Sequence, residues 1–293
     1  MNKLVLTSLA MAAVVGSFNA QATLTSIRNC EVTPAAIQIT SIQKQSAGST
    51  PILLPSGTAV PSDCLGVYND KTVYPSGVYS FGSGANSNLG WKDTSFLNST
   101  SLFGPYGAFV DQSDLQDLKD EGVFVDPGWI FVGKLDLDTG KYESGTVKRA
   151  GYDSYTFEKG IIDITGGTSG TWTYTPPKYN PQTLMDILGA NKFFDQAAVI
   201  FKGGNDYAIY NFSLKDLLLD PVVGTDDENY MFSGTWDMSK VLKTPNGKNP
   251  AGLSHVSLWL RDPSFVTQVQ VPEPATVAIL GLGLLGLRLR RKH

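Results

Sequence analysis

Residues 129–137 read Trp-Ile-Phe-Val-Gly-Lys-Leu-Asp-Leu, a run of β-branched, aromatic and aliphatic residues that is typical of a β-strand. The run leads into Asp138-Thr139-Gly140, which fits a hairpin turn because glycine tolerates positive φ. A second turn of this kind is expected at residues 203–206. Further strand-like runs lie at residues 122–125, 141–147, 160–165, 169–174, 197–202, 207–212, 233–236 and 255–260. Short strands at this spacing predict a mainly β protein, an antiparallel β-sandwich.

Helical patterns are scarce between these strands. Residues 181–188 begin with proline after Asn180 and stop at Gly189, which are helix start and stop signals. Residues 113–119 and 212–219 carry two further short amphipathic patterns. We therefore expect a few short helices beside the sandwich.

Composition narrows the class of protein. Only 17% of the 293 residues are charged, against roughly 25% in ordinary soluble domains. Residues 23–287 hold 18 basic and 27 acidic side chains, so this part of the chain has a net charge of -9. An acidic surface repels phosphate backbones, which argues against nucleic acid as a partner.

The N-terminal end has the layout of an export signal. Residues 1–22 contain Lys3, an apolar run from Leu4 to Val15, and the small-residue pattern Ala20-Gln-Ala22. This pattern predicts a secretory signal helix cleaved after Ala22 and handled by Sec-type export machinery. A buried N-terminal helix is the alternative.

The chain has two cysteines, Cys30 and Cys64, both in the part that follows the predicted signal. In an oxidising compartment an even count predicts one disulfide, worth about 3 to 4 kcal/mol in the chain-entropy model. A catalytic thiol is the alternative, and no metal-type cysteine spacing supports a metal site.

The C-terminal end combines three features. Pro272-Glu273-Pro274 precedes the uncharged stretch 275–287, and a basic tail over residues 288–293 follows. Thirteen helical residues span roughly 20 Å, less than the ~30 Å hydrocarbon core, so a helix over 275–287 is a marginal membrane span. The basic side chains that would remain on the cytoplasmic side are Arg288, Arg290, Arg291 and Lys292.

These C-terminal residues resemble the PEP-CTERM sorting signal of Gram-negative bacteria that make extracellular polysaccharide. The resemblance covers residues 271–293 and includes the Pro-Glu-Pro motif, the Leu/Gly-rich helix and the arginine cluster. It implies recognition by an exosortase at the inner membrane, followed by delivery to the cell surface or matrix. The predicted organisation is a signal peptide (1–22), an extracellular body (23–265), a linker (266–270) and the sorting signal (271–293).

Catalytic motifs are scarce in the predicted body. His255 is its one histidine, no Gly-x-Ser-x-Gly elbow occurs, and neither HExxH nor a redox-cofactor fingerprint is present. The alternating pattern around His255 favours a packed or hydrogen-bonded side chain. We therefore assign no catalytic residue and expect no cofactor.

Carboxylates are the remaining candidates for chemistry. A glycosidase needs two of them at a suitable separation, and the candidates are Asp136, Asp138, Glu143, Asp153, Glu158, Asp226, Asp227 and Glu228. Asp136 with Asp138, and Asp226 with Asp227, also resemble parts of calcium loops, but neither segment completes the EF-hand ligand pattern. The hairpin-turn interpretation fits Asp136–Gly140 better than the calcium one.

Aromatic residues offer a second kind of site. Ser-Gly-Thr-Trp occurs twice, at residues 169–172 and 233–236, and two strands with core tryptophans explain this repeat better than paired sugar-stacking residues. Tyr152, Tyr155, Tyr174 and Tyr179 fall near loops or strand ends and offer stacking faces for a polysaccharide, and core packing is the equal alternative.

The sequence as a whole predicts a non-enzymatic protein of the cell surface or extracellular matrix, which passes the inner membrane in transit. We hypothesise that extracellular polysaccharide is its ligand. A carboxylate-dependent polysaccharide hydrolase or lyase is the first alternative, and a simple membrane-anchored envelope protein is the second.

Overall fold

Two antiparallel β-sheets face each other in the computed structural model, which confirms the mainly β class. The structure describes residues 36–45, 54, 57–69, 96–118, 122–149, 151–176, 181–188, 194–214, 216–217 and 229–262. The signal peptide, Cys30, Asp226, Asp227, the linker and the sorting signal lie outside these residues. In the described part of the chain, no helix has the length and apolar character that a membrane crossing requires.

Twelve strands and two short α-helices make up the described elements. In chain order they are β1 (Ile37–Lys44), β2 (Asp63–Asn69), α1 (Thr100–Phe103), β3 (Trp129–Asp136), β4 (Tyr142–Ser144), β5 (Thr146–Val147), β6 (Tyr155–Thr156), β7 (Ile162–Ile164), β8 (Ser169–Tyr174), α2 (Gln182–Leu188), β9 (Gln196–Gly203), β10 (Asp206–Ser213), β11 (Tyr230–Asp237) and β12 (His255–Arg261). Two 3₁₀ turns, Phe96–Asn98 and Gln112–Asp114, accompany them.

The first sheet has four strands in the order β1-β11-β8-β7. Burial alternates along β11, so that Tyr230, Phe232 and Trp236 point inward while their neighbours are more exposed. This alternation is expected of a sheet with one face on the core and the other in water. The first sheet therefore packs on the core with one face, and its other face is more exposed.

The second sheet has six strands in the order β2-β10-β9-β12-β3-β4. Its central strands, β9 and β12, are buried almost continuously rather than alternately. The reason is a second layer: Phe96, Leu97 and Val110 pack on the outer face against Trp129 and Trp259. The six-stranded sheet is thus covered on both faces over much of its area.

The inner faces of the two sheets share one hydrophobic core. Trp172 of β8 lies 5.5 Å from Phe212 of β10 between ring centroids, and Trp236 of β11 lies 6.0 Å from Phe201 of β9. These cross-sheet ring contacts are the face-to-face packing of a sandwich. They place the tryptophans of both Ser-Gly-Thr-Trp segments in the core, as the sequence favoured.

Both predicted hairpin turns are present. Gly140 has a φ of +67° between β3 and β4, and Gly204 has a φ of +61° between β9 and β10. Among the expected helices, residues 181–188 form α2 as predicted, beginning at Gln182.

Three local predictions are wrong. Residues 122–125 form an exposed loop and not a strand, because the loop pairs at its base and turns its apolar side chains outward. The expected helix over 212–219 does not begin at Phe212, because Phe212 and Ser213 belong to β10 and pair with β9. In the amphipathic pattern over 113–119, of which the structure describes residues 113–118, the helical part is the 3₁₀ turn Gln112–Asp114, after which Leu115 is extended.

Candidate functional site

A row of charged side chains crosses the outer face of the six-stranded sheet at the end where β12 begins. His255 lies directly opposite Asp136 of β3 on one side and Lys202 of β9 on the other. Two residues before Asp136 on β3, Lys134 lies opposite Glu143 of β4. Directly opposed residues on neighbouring strands point to the same face, so the sheet brings these five side chains together. We call Asp136, His255, Lys202, Lys134 and Glu143 the charged row.

His255 is the centre of the charged row because both ring nitrogens have a partner. Its Nε2 lies 3.4 Å from Asp136 Oδ2, and its Nδ1 lies 2.9 Å from Ser254 Oγ. An ionised carboxylate only accepts hydrogen bonds, so Asp136 favours the tautomer with the proton on Nε2. Nδ1 can then accept a hydrogen bond from the Ser254 hydroxyl group. The Lys202 backbone oxygen, 3.3 Å from Ser254 Oγ, is the competing acceptor for this hydroxyl group.

Asp136 is held ionised by its own turn. The Thr139 backbone N–H donates to Asp136 Oδ1 at 2.9 Å, and this bond is the main reason why the pKa of Asp136 lies below its ordinary value. His255 adds a smaller effect in the same direction. Both carboxylate oxygens of Asp136 are therefore engaged, one by the turn and one by the imidazole.

The surroundings of His255 favour its neutral form by lowering its pKa. Burial is the largest cause of the lowered pKa of His255, because a charged imidazole loses hydration there. Asp136 opposes this effect, whereas Lys134 and Lys202 reinforce it. A neutral imidazole beside an ionised carboxylate can accept a proton or bind a hydroxyl group.

Lys134 and Glu143 complete the charged row with an ion pair. Lys134 Nζ lies 3.0 Å from Glu143 Oε2, and both side chains are partly exposed. A cross-strand pair of this kind contributes little to stability but fixes the position of a donor and an acceptor. The charged row therefore offers oriented polar groups on rigid strands.

Asp136 and Asp138 lie at the predicted hairpin turn between β3 and β4. Asp136 ends β3, its Oδ1 caps the turn through Thr139, and Asp138 lies exposed within that turn. In the part of the chain that the structure describes, no group of three or more histidine, cysteine, aspartate or glutamate side chains could hold a metal ion. The second calcium candidate, Asp226 with Asp227, lies outside that part.

The other predicted carboxylates that the structure describes lie in separate segments, and Glu228 lies outside the described residues. Glu143 lies on β4 beside Lys134, Asp153 lies exposed in the loop between β5 and β6, and Glu158 follows β6. Glu158 adds to the raised pKa of Tyr155, for which burial is the larger cause. Asp136 is the described carboxylate that pairs with an imidazole.

The predicted aromatic residues divide by exposure. Tyr174 is buried in the core, and burial raises its pKa. Tyr155 packs edge-on against Phe157 at 5.2 Å between ring centroids. Tyr152 is 50% exposed in the β5–β6 loop, with the Arg149 guanidinium carbon 5.6 Å from its ring centroid. Tyr152 is thus the predicted stacking residue with an accessible ring, and Tyr179 lies outside the described residues.

Cys64 lies on β2 and is buried. Its expected partner, Cys30, lies outside the described residues, so the Cys30–Cys64 disulfide stays a prediction.

Sequence reasoning named Asp136, Glu143 and His255 but missed Ser254, Lys134 and Lys202. Ser254 and His255 are adjacent, which is a usable local signal. The lysines join the charged row only through the register of β3, β9 and β12, which local patterns do not specify.

Comparison with known proteins identifies one segment of the chain. The PEP-CTERM protein-sorting motif matches residues 270–292. No curated protein and no solved structure matches the chain. The match confirms the resemblance to a PEP-CTERM sorting signal, and the matched residues include Pro272, Glu273 and Pro274. The chain is therefore an exported protein that an exosortase processes and that is sorted to the cell surface.

Proposed function

We propose that this PEP-CTERM protein is a non-enzymatic surface or matrix protein whose body binds extracellular polysaccharide. The observation that carries the proposal is the charged row, in which donors and acceptors lie side by side on four neighbouring strands, β9, β12, β3 and β4. Polysaccharides present dense hydroxyl groups that both donate and accept hydrogen bonds, and a rigid set of polar groups suits them.

The electrostatics of the charged row agree with such a ligand. Two lysines and two carboxylates lie around a neutral imidazole, so the row has little net charge although the body as a whole is acidic. A site of this kind favours hydroxyl-rich chains over polyanions such as nucleic acid. Tyr152 in the β5–β6 loop supplies a separate exposed ring for weaker contacts.

Retention on the host's own matrix polysaccharide tests the proposal. We expect the wild-type protein to be retained, and we expect His255→Gln and Lys202→Gln to reduce retention because each removes a fixed group of the charged row. Lys159→Gln is the matched control, since Lys159 is an exposed lysine that follows β6. Equal retention of all three variants would contradict the assignment of binding to the charged row.

A carboxylate-dependent hydrolase or lyase is the second candidate, and the Asp136–His255 pair favours it. A neutral imidazole held by an ionised carboxylate has the arrangement of a general base. Cleavage would appear as new reducing or unsaturated ends during incubation with the polysaccharide. Ends that form with wild type and not with His255→Gln would favour the enzyme, whereas retention without new ends favours the binding protein.

The sorting step has its own test. Replacing Pro272, Glu273 and Pro274 by alanine is expected to keep the protein at the inner membrane with its tail attached. An unchanged mature mass and location would favour a plain membrane anchor instead.

A further inference from the structure

Three consecutive apolar residues are exposed on one loop. Val123, Phe124 and Val125 are 48%, 50% and 41% exposed, and they follow one another between Gly122 and Asp126. Single exposed apolar residues are ordinary on protein surfaces, but a contiguous group marks a contact surface. We call these three residues the apolar loop.

The base of the apolar loop is fixed. Gln116 and Asp126 exchange two backbone hydrogen bonds of 2.8 and 2.9 Å, and both residues are buried. The Gly122 N–H donates to Asp117 Oδ2 at 2.8 Å, and Gly122 has a φ of +76°. The loop is therefore held so that its apolar side chains point away from the body.

The same base holds Asp262, the last residue that the structure describes before the sorting motif. Gln116 Nε2 donates to the backbone oxygen of Asp262 at 2.7 Å. The Val125 N–H donates to the backbone oxygen of Gln116 at 3.1 Å. Gln116 thus joins the apolar loop directly to Asp262, the residue that follows β12.

The tail length keeps this end of the body near the membrane. Residues 263–274 separate Asp262 from the uncharged stretch 275–287. Twelve extended residues span at most about 40 Å. While the tail is inserted, Asp262 lies within that distance of the bilayer, and the tether raises the effective concentration of the lipid surface for any weak contact.

We propose that the apolar loop contacts the lipid bilayer in the tail-anchored precursor, before the exosortase acts. This inference rests on the membrane stage of the function proposed above. Contact at this end orients β12 away from the membrane. Arg261 lies six residue positions beyond His255 along β12, so the charged row lies roughly 20 Å farther out.

Quenching by brominated lipid tests the contact. The precursor, isolated with its tail intact, is reconstituted into vesicles of brominated or ordinary phosphatidylcholine as wild type, Phe124→Trp or Lys141→Trp. Lys141 is the matched control because it is exposed at the β3–β4 turn, at the opposite end of the sheet. Emission added by each new tryptophan is measured relative to wild type.

We expect brominated lipid to reduce the emission added by Phe124→Trp and to leave that added by Lys141→Trp unchanged. Adding Val123→Ser and Val125→Ser to Phe124→Trp should diminish the loss. Equal quenching at positions 124 and 141 in vesicles that carry the protein would overturn the inference alone. Failure of the protein to float with vesicles would overturn the membrane stage as well. A blue shift of Phe124→Trp emission that grows with protein concentration without vesicles would overturn the lipid contact in favour of a second copy.

Discussion

Trp172 lies directly opposite Gly234 across the antiparallel pair of β8 and β11, and Trp236 lies opposite Gly170 in the same pair. The two Ser-Gly-Thr-Trp segments are therefore paired with each other, and each glycine faces the other segment's tryptophan. Trp172 Nε1 donates to the Gln38 backbone oxygen at 3.1 Å. This oxygen is also the nearest atom to the position that a Cβ on Gly234 would occupy.

The relationship is reciprocal. Trp236 Nε1 donates to the Thr165 backbone oxygen at 3.1 Å, and a Cβ on Gly170 would collide with that oxygen. Each glycine thus leaves the space in which a buried indole reaches a backbone acceptor. Buried tryptophan needs such an acceptor because an unpaired N–H in the core is costly.

Gly234→Ala is expected to destabilise the protein by about 2 kcal/mol or more, because the added methyl group meets Gln38 and the Trp172 indole in a packed core. Gly167→Ala is the control, since no atom lies within 4 Å of its added Cβ. Chemical denaturation monitored by tryptophan fluorescence measures both. Equal midpoints for the two variants would contradict the role of Gly234.

Tyr142→Phe is expected to stabilise the protein by about 1 to 3 kcal/mol. The Tyr142 hydroxyl is buried without a hydrogen-bond partner, and burial raises the pKa of Tyr142 to about 12. Tyr210→Phe is the control, because the Tyr210 hydroxyl lies 3.7 Å from Met238 Sδ and has a partner to lose. The temperature of thermal unfolding should rise for Tyr142→Phe and should not rise for Tyr210→Phe. A lower unfolding temperature for Tyr142→Phe would show that the Tyr142 hydroxyl has a hydrogen-bond partner.

Asp136→Asn is expected to lower the pKa of His255 further. Asp136 is the first cause that opposes the effect of burial on this imidazole, and asparagine removes its charge while keeping its shape. NMR titration of the imidazole protons measures the pKa, with Glu143→Gln as a control one register step away. A His255 pKa that stays the same or rises in Asp136→Asn would contradict the pairing.

His255 also makes a pH dependence of stability expected. Its pKa is lowered from 6.5 on folding, so below about pH 6.5 the unfolded state binds more protons and stability falls. Above about pH 7.5 both states are neutral and the contribution vanishes. His255→Gln should therefore flatten the dependence of unfolding free energy on pH between about 7 and 5, while Lys159→Gln should retain it. Parallel curves for His255→Gln and wild type would exclude His255 as the cause.

The local sequence pattern was sufficient to predict most strands of the two large sheets. The runs at 129–137, 169–174, 197–202, 207–212 and 255–260 correspond to strands, because β-branched and aromatic residues between turn signals have few alternatives. Strands β1 and β2 were not predicted, although Ile37, Ile39 and Ile42 of β1 are completely buried. Polar residues interrupt the apolar pattern of these segments, so the sequence did not indicate strands there. The pairing of β1 with β11 is what buries these isoleucines.

Residues 122–125 show the limit of such patterns. Gly-Val-Phe-Val has the composition of a strand, but the backbone bonds between Gln116 and Asp126 close a loop that leaves no partner strand for it among the described residues. A strand-like composition indicates that a segment is able to form a strand, but it does not show whether a partner strand lies beside it.

The sequence alone determined that the chain is exported, where its sorting signal lies and that its body is mainly β, because these properties depend on contiguous residues. Tertiary structure decided that His255 lies between Asp136 and Lys202, that two tryptophans face two glycines, and that an apolar loop is joined through Gln116 to Asp262. Each of these depends on the register between strands or segments distant in sequence. Register follows from how whole faces pack together, which no single segment encodes.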